Sequence, residues 1–466
     1  MPATGSQPAA SQPSASTQPR QTQPAERGLH TAEALREALK RAGPGDVVLV
    51  GAGVVLDDDL HVTGVAGSPD APVQIRGVPG GGPHLICKGG GLRLSNARWV
   101  ELSGLVFQQH ARPCLRIDDA DHTGGAEGIV LEELRFVQHE SRRPGDSADV
   151  VTLWGVDDFI VRDCSFAGWN GAAIDIVACR RGLVDRCTLE GDETLRQARG
   201  VQIRAGSRDV LVQRCYFGRA GQRVVSIGGH SNARHFRRRQ PGLEAEGVIV
   251  AGNRFHGGQA PIVWNSCGWS WVHHNLFHEP EWHLIRLLQE NAWPEIPPCR
   301  GGLFERNVVV TSGRLRSLAS AGDDTRLGGI AFRGNAWFQL DAEGPPRLPT
   351  PDLGGIYQVP VDVSAAGTPR MHIASDDERL ADLGPGAYTP QEPAGPAGRL
   401  KLPSLPAETP IAPVRGDGLP GWMWLTVVVL LLLAAVGVGS KVRRRMLARR
   451  RHRHARHRRR REQLSQ

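Results

Sequence analysis

Four side chains in the middle of the chain, Arg204, Arg223, His230 and Arg286, are of the types that hold an anion and move a proton. A guanidinium grips a carboxylate through two parallel hydrogen bonds, and an imidazole exchanges a proton near neutral pH. Short strands read by period-two alternation place Thr152, Asp175, Gln202, Arg204, Ser226 and Arg286 on one outward stripe, and the loops after them add His230, Glu290 and Asn291. Rungs of a sheet stack about 4.8 Å apart, so the stripe sets a carboxylate between cations, with Arg204 and Arg286 placed to clamp carboxylates of a polyanionic sugar. Arg204, Arg223, His230 and Arg286 are the catalytic candidates; Asp175, Gln202, Glu290, Asn291 and Trp264 are the substrate-binding candidates. The plain alternative is a solvated face of ordinary ion pairs.

Trp154, Trp169, Trp264, Trp269, Trp271, Trp282 and Trp293 crowd the same region. An exposed indole stacks on a sugar ring, whereas a buried one packs a core. His273, His274, His278 and His283 are close in sequence, yet no carboxylate or ligand spacing completes a metal site, so none is expected there. No cofactor is expected from the residues themselves.

A recurring unit must position these groups. VELSGLVF ending at Phe107, IVLEELRF at Phe136 and IVRDCSF at Phe166 are followed by copies ending at Leu189, Phe217, Phe255, Phe277, Val309 and Trp337. Their spacings run from 22 to 38 residues, a floor with irregular excess. Turns that each complete one rung while loops of free length bulge outward produce that pattern. The residues are β-branched and aromatic, with Gly, Asn and Asp at the breaks and no helical period. Two or three strands per repeat make one coil of a parallel solenoid. At the N-terminal end, HTAEALREALKRAGPGD reads as an amphipathic helix with Thr31 as N-cap and Gly43-Pro44 as its stop, suited to covering the first coil.

Two residues before each repeat's apolar end stand Leu105, Leu134, Cys164, Cys187, Cys215, Asn253, Asn275, Asn307 and Asn335. A buried amide there can bond its neighbours' backbone and the next amide, so the four Asn, with Cys164, Cys187 and Cys215, are expected to form an internal structural ladder. The eight Cys contain no CxxC pair; the three column thiols read as small hydrophobes, and a disulfide stays open for Cys267 and Cys299.

On these residues the chain resembles the right-handed parallel β-helix (pectin lyase-like) superfamily over residues 29–388. TAEALREALKRAGPGDVVLV, PDAPVQIRGV and WVELSGLVF are similar to the alginate lyase and chondroitinase B group. VQIRAGSRDVLVQRCYFGRAGQRVVSIGG with LIRLLQEN is similar to uncharacterised bacterial β-helix repeat proteins. The resemblance implies an all-β, single-stranded right-handed β-helix acting on acidic polysaccharide by elimination or hydrolysis, with Ca2+ as the family's metal. In the segment most like that group's base-bearing strand, PIVWNSCGWSWVHHN, Asn265 and Ser266 stand and no Lys is present. Two readings remain open: a polysaccharide lyase or glycoside hydrolase, and a non-catalytic cell-surface solenoid, since the scaffold does not fix the chemistry.

The rest of the chain divides by composition. Residues 1–28 and the Pro/Ala-rich linker 389–420 are expected to be disordered and extended, respectively. GWMWLTVVVLLLLAAVGVGS, residues 421–440, carries no formal charge and is long enough to cross a bilayer as one helix. Residues 441–466 hold thirteen Lys/Arg against one Glu, so they exceed the whole chain's +8 and leave the remainder net acidic. The basic pI therefore gives no reason to expect nucleic acid as a partner of the folded part. Arg beside a span stays cytoplasmic and can rest on anionic headgroups, which places the body outside. The first thirty residues hold no apolar stretch of a signal peptide, so this reading expects a start upstream of residue 1; a tail-anchored cytoplasmic body is the alternative.

Overall fold

The computed structural model describes residues 28–407 except 81, 110–112, 121–123, 139–148, 193–196, 342–345, 358–360 and 394–401. The chain divides into Met1–Ile411 and Ala412–Gln466. The second unit, with the expected membrane span 421–440 and basic tail 441–466, lies outside the described residues, as do residues 1–27. Among the described residues no helix is long and apolar enough to cross a membrane.

Three parallel sheets, each taking one strand per coil, run along the molecule. The first passes from Val47–Val50 to Asp352–Leu353, the second from Val54–Leu56 to Ile356–Tyr357, and the third from Leu60–Thr63 to Ser317–Ala321. All nine repeat ends fall in one column of the second sheet: Phe107, Phe136, Phe166, Leu189, Phe217, Phe255, Phe277, Val309 and Trp337 are register partners in succession. Ring centroids of Phe217, Phe255 and Phe277 are 4.7 Å apart rung to rung, nearly parallel. That spacing is the strand spacing itself, so the sheet's hydrogen bonds and the ring stacking favour one register. Losing one such buried ring, as in Phe255→Ala, costs about 3–5 kcal/mol.

The turn from the first to the second sheet explains the letters before each ring. Three residues ahead of each column residue the backbone takes positive φ: Gly104, Glu133, Asp163, Arg186, Arg214, Gly252, His274, Arg306 and Gly334. Glycine suits that conformation, and non-glycine residues hold it at a cost. The next residue then turns inward, where it meets exposed carbonyls. Asn253 Nδ2 donates to Val212 O, Asn275 Nδ2 to Val250 O, Asn307 Nδ2 to Val272 O and Asn335 Nδ2 to Phe304 O, all at 2.9–3.0 Å. The thiols of Cys164, Cys187 and Cys215 donate to Leu131 O, Val161 O and Val184 O, the equivalent carbonyl of the preceding coil in each case. Each Asn Oδ1 accepts the backbone N–H of its predecessor, from Cys215 to Asn253 and on through Asn335. Asp352 Oδ2 ends the row, accepting from Asn335 N, Asn335 Nδ2 and Trp337 Nε1.

The helix is Ala32–Arg41, with Thr31 Oγ1 accepting from Ala34 N and with Leu35 and Leu39 buried against the first coil's core. Tyr388 Oη donates to Gln213 Oε1, and Leu402 and Leu405 pack on Val130, Ile160, Leu183, Leu211 and Ile249. These five form an apolar column on the outer face of the first sheet, and Trp271, Tyr388, Leu402 and Leu405 pack over it.

Candidate functional site

The outer face of the third sheet carries the polar column expected from alternation. Arg93, Arg116, Thr152, Asp175, Gln202, Ser226, Val263 and Arg286 are register partners in succession. Along it the charges are handled in two ways.

In the earlier coils the charges of this column are matched among the described residues. Asp118 accepts from Arg93 Nε at 2.9 Å, Arg116 Nε at 2.6 Å and Ser95 Oγ at 2.6 Å. Burial works against its anion, but the Ser95 hydroxyl and the two guanidiniums hold its carboxyl below the usual range. Asp175, 1% exposed, takes a forked pair from Arg204 at 2.9 and 2.7 Å. The segment 229–244 folds over this pair. Arg204 Nη1 also reaches Ser231 Oγ and His235 Nδ1, and Trp154 Nε1 donates to His235 O. Arg237 donates to Ala178 O and Gly155 O. Glu244, fully buried, fixes the segment by accepting from Ala205 N, Ser231 N and Asn291 Nδ2.

Asp149 borders this closed half. Its Oδ1 accepts from Ala172 N at 2.7 Å. Burial, reinforced by the Asp175 anion, pushes its carboxyl up to about 6.

From the first residue of the strand that ends in Arg204 and on through the later coils, cations outnumber their carboxylate partners among the described residues. Arg199 and Arg223 are register partners at the first positions of Arg199–Arg204 and Arg223–Gly228. Arg223 forks onto Glu290, which also accepts from Asn265 Nδ2 at 2.6 Å. Arg223 first, then Asn265, keeps the Glu290 carboxyl low. The Nε of Arg199 and the Nε of Arg286 are buried without a hydrogen-bond partner among the described residues. Burial and then the charge of Arg223 lower the affinity of both guanidiniums for their protons, against the pull of Asp175 and Asp149 on Arg199 and of Glu290 on Arg286.

The candidates thus separate. Arg223, Arg286 and Glu290 come together, with Arg199 and Asn265 added by the structure. Arg204 and Asp175 lie in the closed half, paired to each other, and Gln202 is buried on the rung beside Asp175. Asn291, 1% exposed, is a pin for Glu244 rather than a ligand contact. Trp264 corrects an expectation: it is fully buried and in register with Ile227 and Leu287, so its indole packs the core and is closed to a sugar. His230 is exposed, two residues past the strand end at Gly228. Trp169 is buried, whereas Trp282 and Trp293 are 40% and 39% exposed. Trp282 precedes the strand of Arg286, lies beneath the Arg316 guanidinium at 4.3 Å, and lines a cavity of about 910 Å3 with Gln197, Gln222 and Gln259.

The four histidines are dealt to three sheets: His273 to the first, His278 to the second and His283 to the third, with His274 in the turn after His273. Burial drives His273 to about 3 and His274 to about 4. Among the described residues no group of three His, Cys, Asp or Glu is placed to hold a metal ion. The Ca2+ that the resemblance implies does not fit the described residues of the third sheet, because Asp118, Asp175 and Glu290 each already answer an arginine.

No family model matches this chain, and no curated protein does. Among solved structures it is similar to an alginate lyase from Paenibacillus sp. str. FPU-7, at 13% identity over 63% of this chain and 97% of that one, TM-score 0.37. A family 6 polysaccharide lyase from Pseudopedobacter saltans gives 13% identity over 78% and 99%, TM-score 0.45. Pectate lyase Pel9A gives 10% over 64% and 73%, TM-score 0.34. The chain is a parallel β-helix. That assignment rests on its own three sheets and their register.

Proposed function

We propose that the later coils of the third sheet bind acidic polysaccharide, with Arg199, Arg223 and Arg286 taking the carboxylates and the Trp282 cavity taking a sugar ring. The observation that carries this reading is the pair of buried Nε groups on Arg199 and Arg286 that lack a protein partner among the described residues. A buried donor left unpaired costs free energy that an incoming carboxylate recovers. Affinity electrophoresis of the full chain through gels containing polygalacturonate or a neutral glucan tests it. Retardation by the acidic polymer alone, weakened by salt, is expected; equal retardation by both polymers overturns it.

A catalytic reading is favoured by one observation, the elevated Asp149 beside Asp175. A carboxyl whose proton affinity is raised toward neutrality beside a second carboxyl is an arrangement that suits a general acid. Polymer cleavage by the full chain that Asp149→Asn abolishes supports hydrolysis or elimination here. Intact polymer after prolonged incubation leaves the surface a binding one.

The same proposal includes location. Residues 421–440 span the membrane once, residues 441–466 rest on anionic headgroups on the cytoplasmic side, and the β-helix faces outward. Protease added to intact cells is expected to digest the β-helix and spare the tail; the reverse pattern sinks the orientation.

A further inference from the structure

Cys267 and Cys299 stand apart from the column thiols. Their sulfur atoms are 3.6 Å apart. Cys267 follows the strand Ile262–Asn265 and is fully buried, whereas Cys299 closes the irregular segment after Leu288 and is partly exposed. The two backbones are already tied. Arg300 N donates to Cys267 O at 2.9 Å, and Cys299 N donates to Gln289 Oε1 at 2.6 Å. At the segment's other end Glu290 N bonds Asn265 Oδ1 and Asn291 N bonds Ser266 Oγ. A disulfide needs its sulfurs about 2.05 Å apart, so closure asks for a shift of only about 1.5 Å, taken up on the irregular Cys299 side. Cys164, Cys179, Cys187 and Cys215 have a different occupation, donating to backbone carbonyls inside the coil.

The geometry points to Cys267–Cys299 as a disulfide-forming pair that staples the Glu290 segment to the third sheet in an oxidising medium. Cys299, the accessible thiol, loses its proton and attacks one sulfur of a small-molecule disulfide such as oxidised glutathione, releasing a glutathione thiolate. The Cys267 thiolate then displaces the second glutathione from the Cys299 sulfur. One protein disulfide forms, two protons leave the protein, and the oxidant is reduced to two thiols. The bond closes a loop over residues 267–299, which carries Arg286 and Glu290, so it narrows the unfolded ensemble and fixes the segment that presents Glu290 to Arg223. This inference stands on the sulfur geometry and is independent of what the arginines bind.

The test uses the full chain. It is treated with oxidised glutathione, denatured, alkylated with iodoacetamide and digested without reductant. The expected map shows one cross-linked peptide joining Cys267 to Cys299, two hydrogens lighter than its parts, with the other six of the eight cysteines alkylated. Cys299→Ser, a change at a partly exposed position, is expected to abolish the cross-link and leave seven alkylated cysteines. The oxidised chain also unfolds a few degrees higher than the dithiothreitol-treated one, a difference absent from Cys299→Ser. Full alkylation of Cys267 and Cys299 after oxidation, or a cross-link from Cys267 to a different cysteine, overturns the assignment.

Discussion

Arg93 and Arg286 occupy the same outward column of one sheet, yet they live differently. Arg93 shares Asp118 with Arg116, while Arg286 has a buried Nε with no partner among the described residues and another guanidinium, Arg223, as its electrostatic neighbour. The scaffold around them is alike: parallel strands, an inward neighbour on either side, the same pleat. The difference lies in what covers the face. Asp118 answers Arg93 and Arg116 directly, and the 229–244 segment, pinned by Glu244, closes over the matched Asp175–Arg204 pair. Over the later coils Glu290 is the carboxylate bonded to the cluster among the described residues, and it is spent on Arg223. Matched buried charge is architecture; the half-buried guanidiniums with unpartnered Nε groups are where the proposed ligand is placed.

Breaking the closed half has the largest effect. Asp175→Ala leaves Arg204 enclosed without its carboxylate, since their side chains are 18% and 2% exposed, and is expected to cost about 3–5 kcal/mol of stability. Urea unfolding measures this, and a change under 1 kcal/mol would mean that Arg204 finds water instead.

Asp149 gives the comparison a pH axis. Its folded pKa, about 6, lies above its ordinary value of 3.8. A raised carboxyl contributes fully below the unfolded value and loses that contribution as pH rises through the folded one. Wild-type stability is therefore expected to fall between pH 4 and 6 by up to about 2 kcal/mol from this group. Asp149→Asn is expected to flatten that slope; an unchanged slope in the variant contradicts the shift.

In the open half, stability and binding part company. Arg199→Ala and Arg286→Ala each remove a guanidinium with a poorly served donor, so folding is expected to hold while affinity for polygalacturonate falls about tenfold. The smallest effect is reserved for Glu290→Ala. Its side chain is 36% exposed, so stability changes by about 0.5 kcal/mol or less, but Arg223 is released and polyanion affinity rises a few-fold. A loss of affinity there would show that Glu290 serves the ligand rather than competing with it.

Much of the scaffold was readable from the chain because each coil repeats the same demands. The nine column residues share one inward slot, and the Asn row sits at the one position where a side chain meets the preceding coil's carbonyl. Alternation also found Asp175, Gln202 and Arg286 on one face. It missed Arg199, whose parity is that of inward Val201 and Ile203, because a strand's first residue escapes the pleat. It also misplaced Trp264, whose neighbours Ile227 and Leu287 on adjacent rungs mark it as inward. Glu244 and Asp352 carried no repeat signal: one lies in an inserted segment and the other on the first-sheet strand Asp352–Leu353. Which charges are matched depends on such covering segments, and covering segments have no period.

The most direct test sets Arg93→Ala against Arg286→Ala in the full chain, measuring affinity for polygalacturonate by titration calorimetry at fixed ionic strength. Arg286→Ala is expected to weaken binding about tenfold, and Arg93→Ala, which leaves Asp118 with Arg116, to change it less than about twofold. Equal losses from the two, or a loss confined to Arg93→Ala, would contradict the division of the face into a closed half and a binding half.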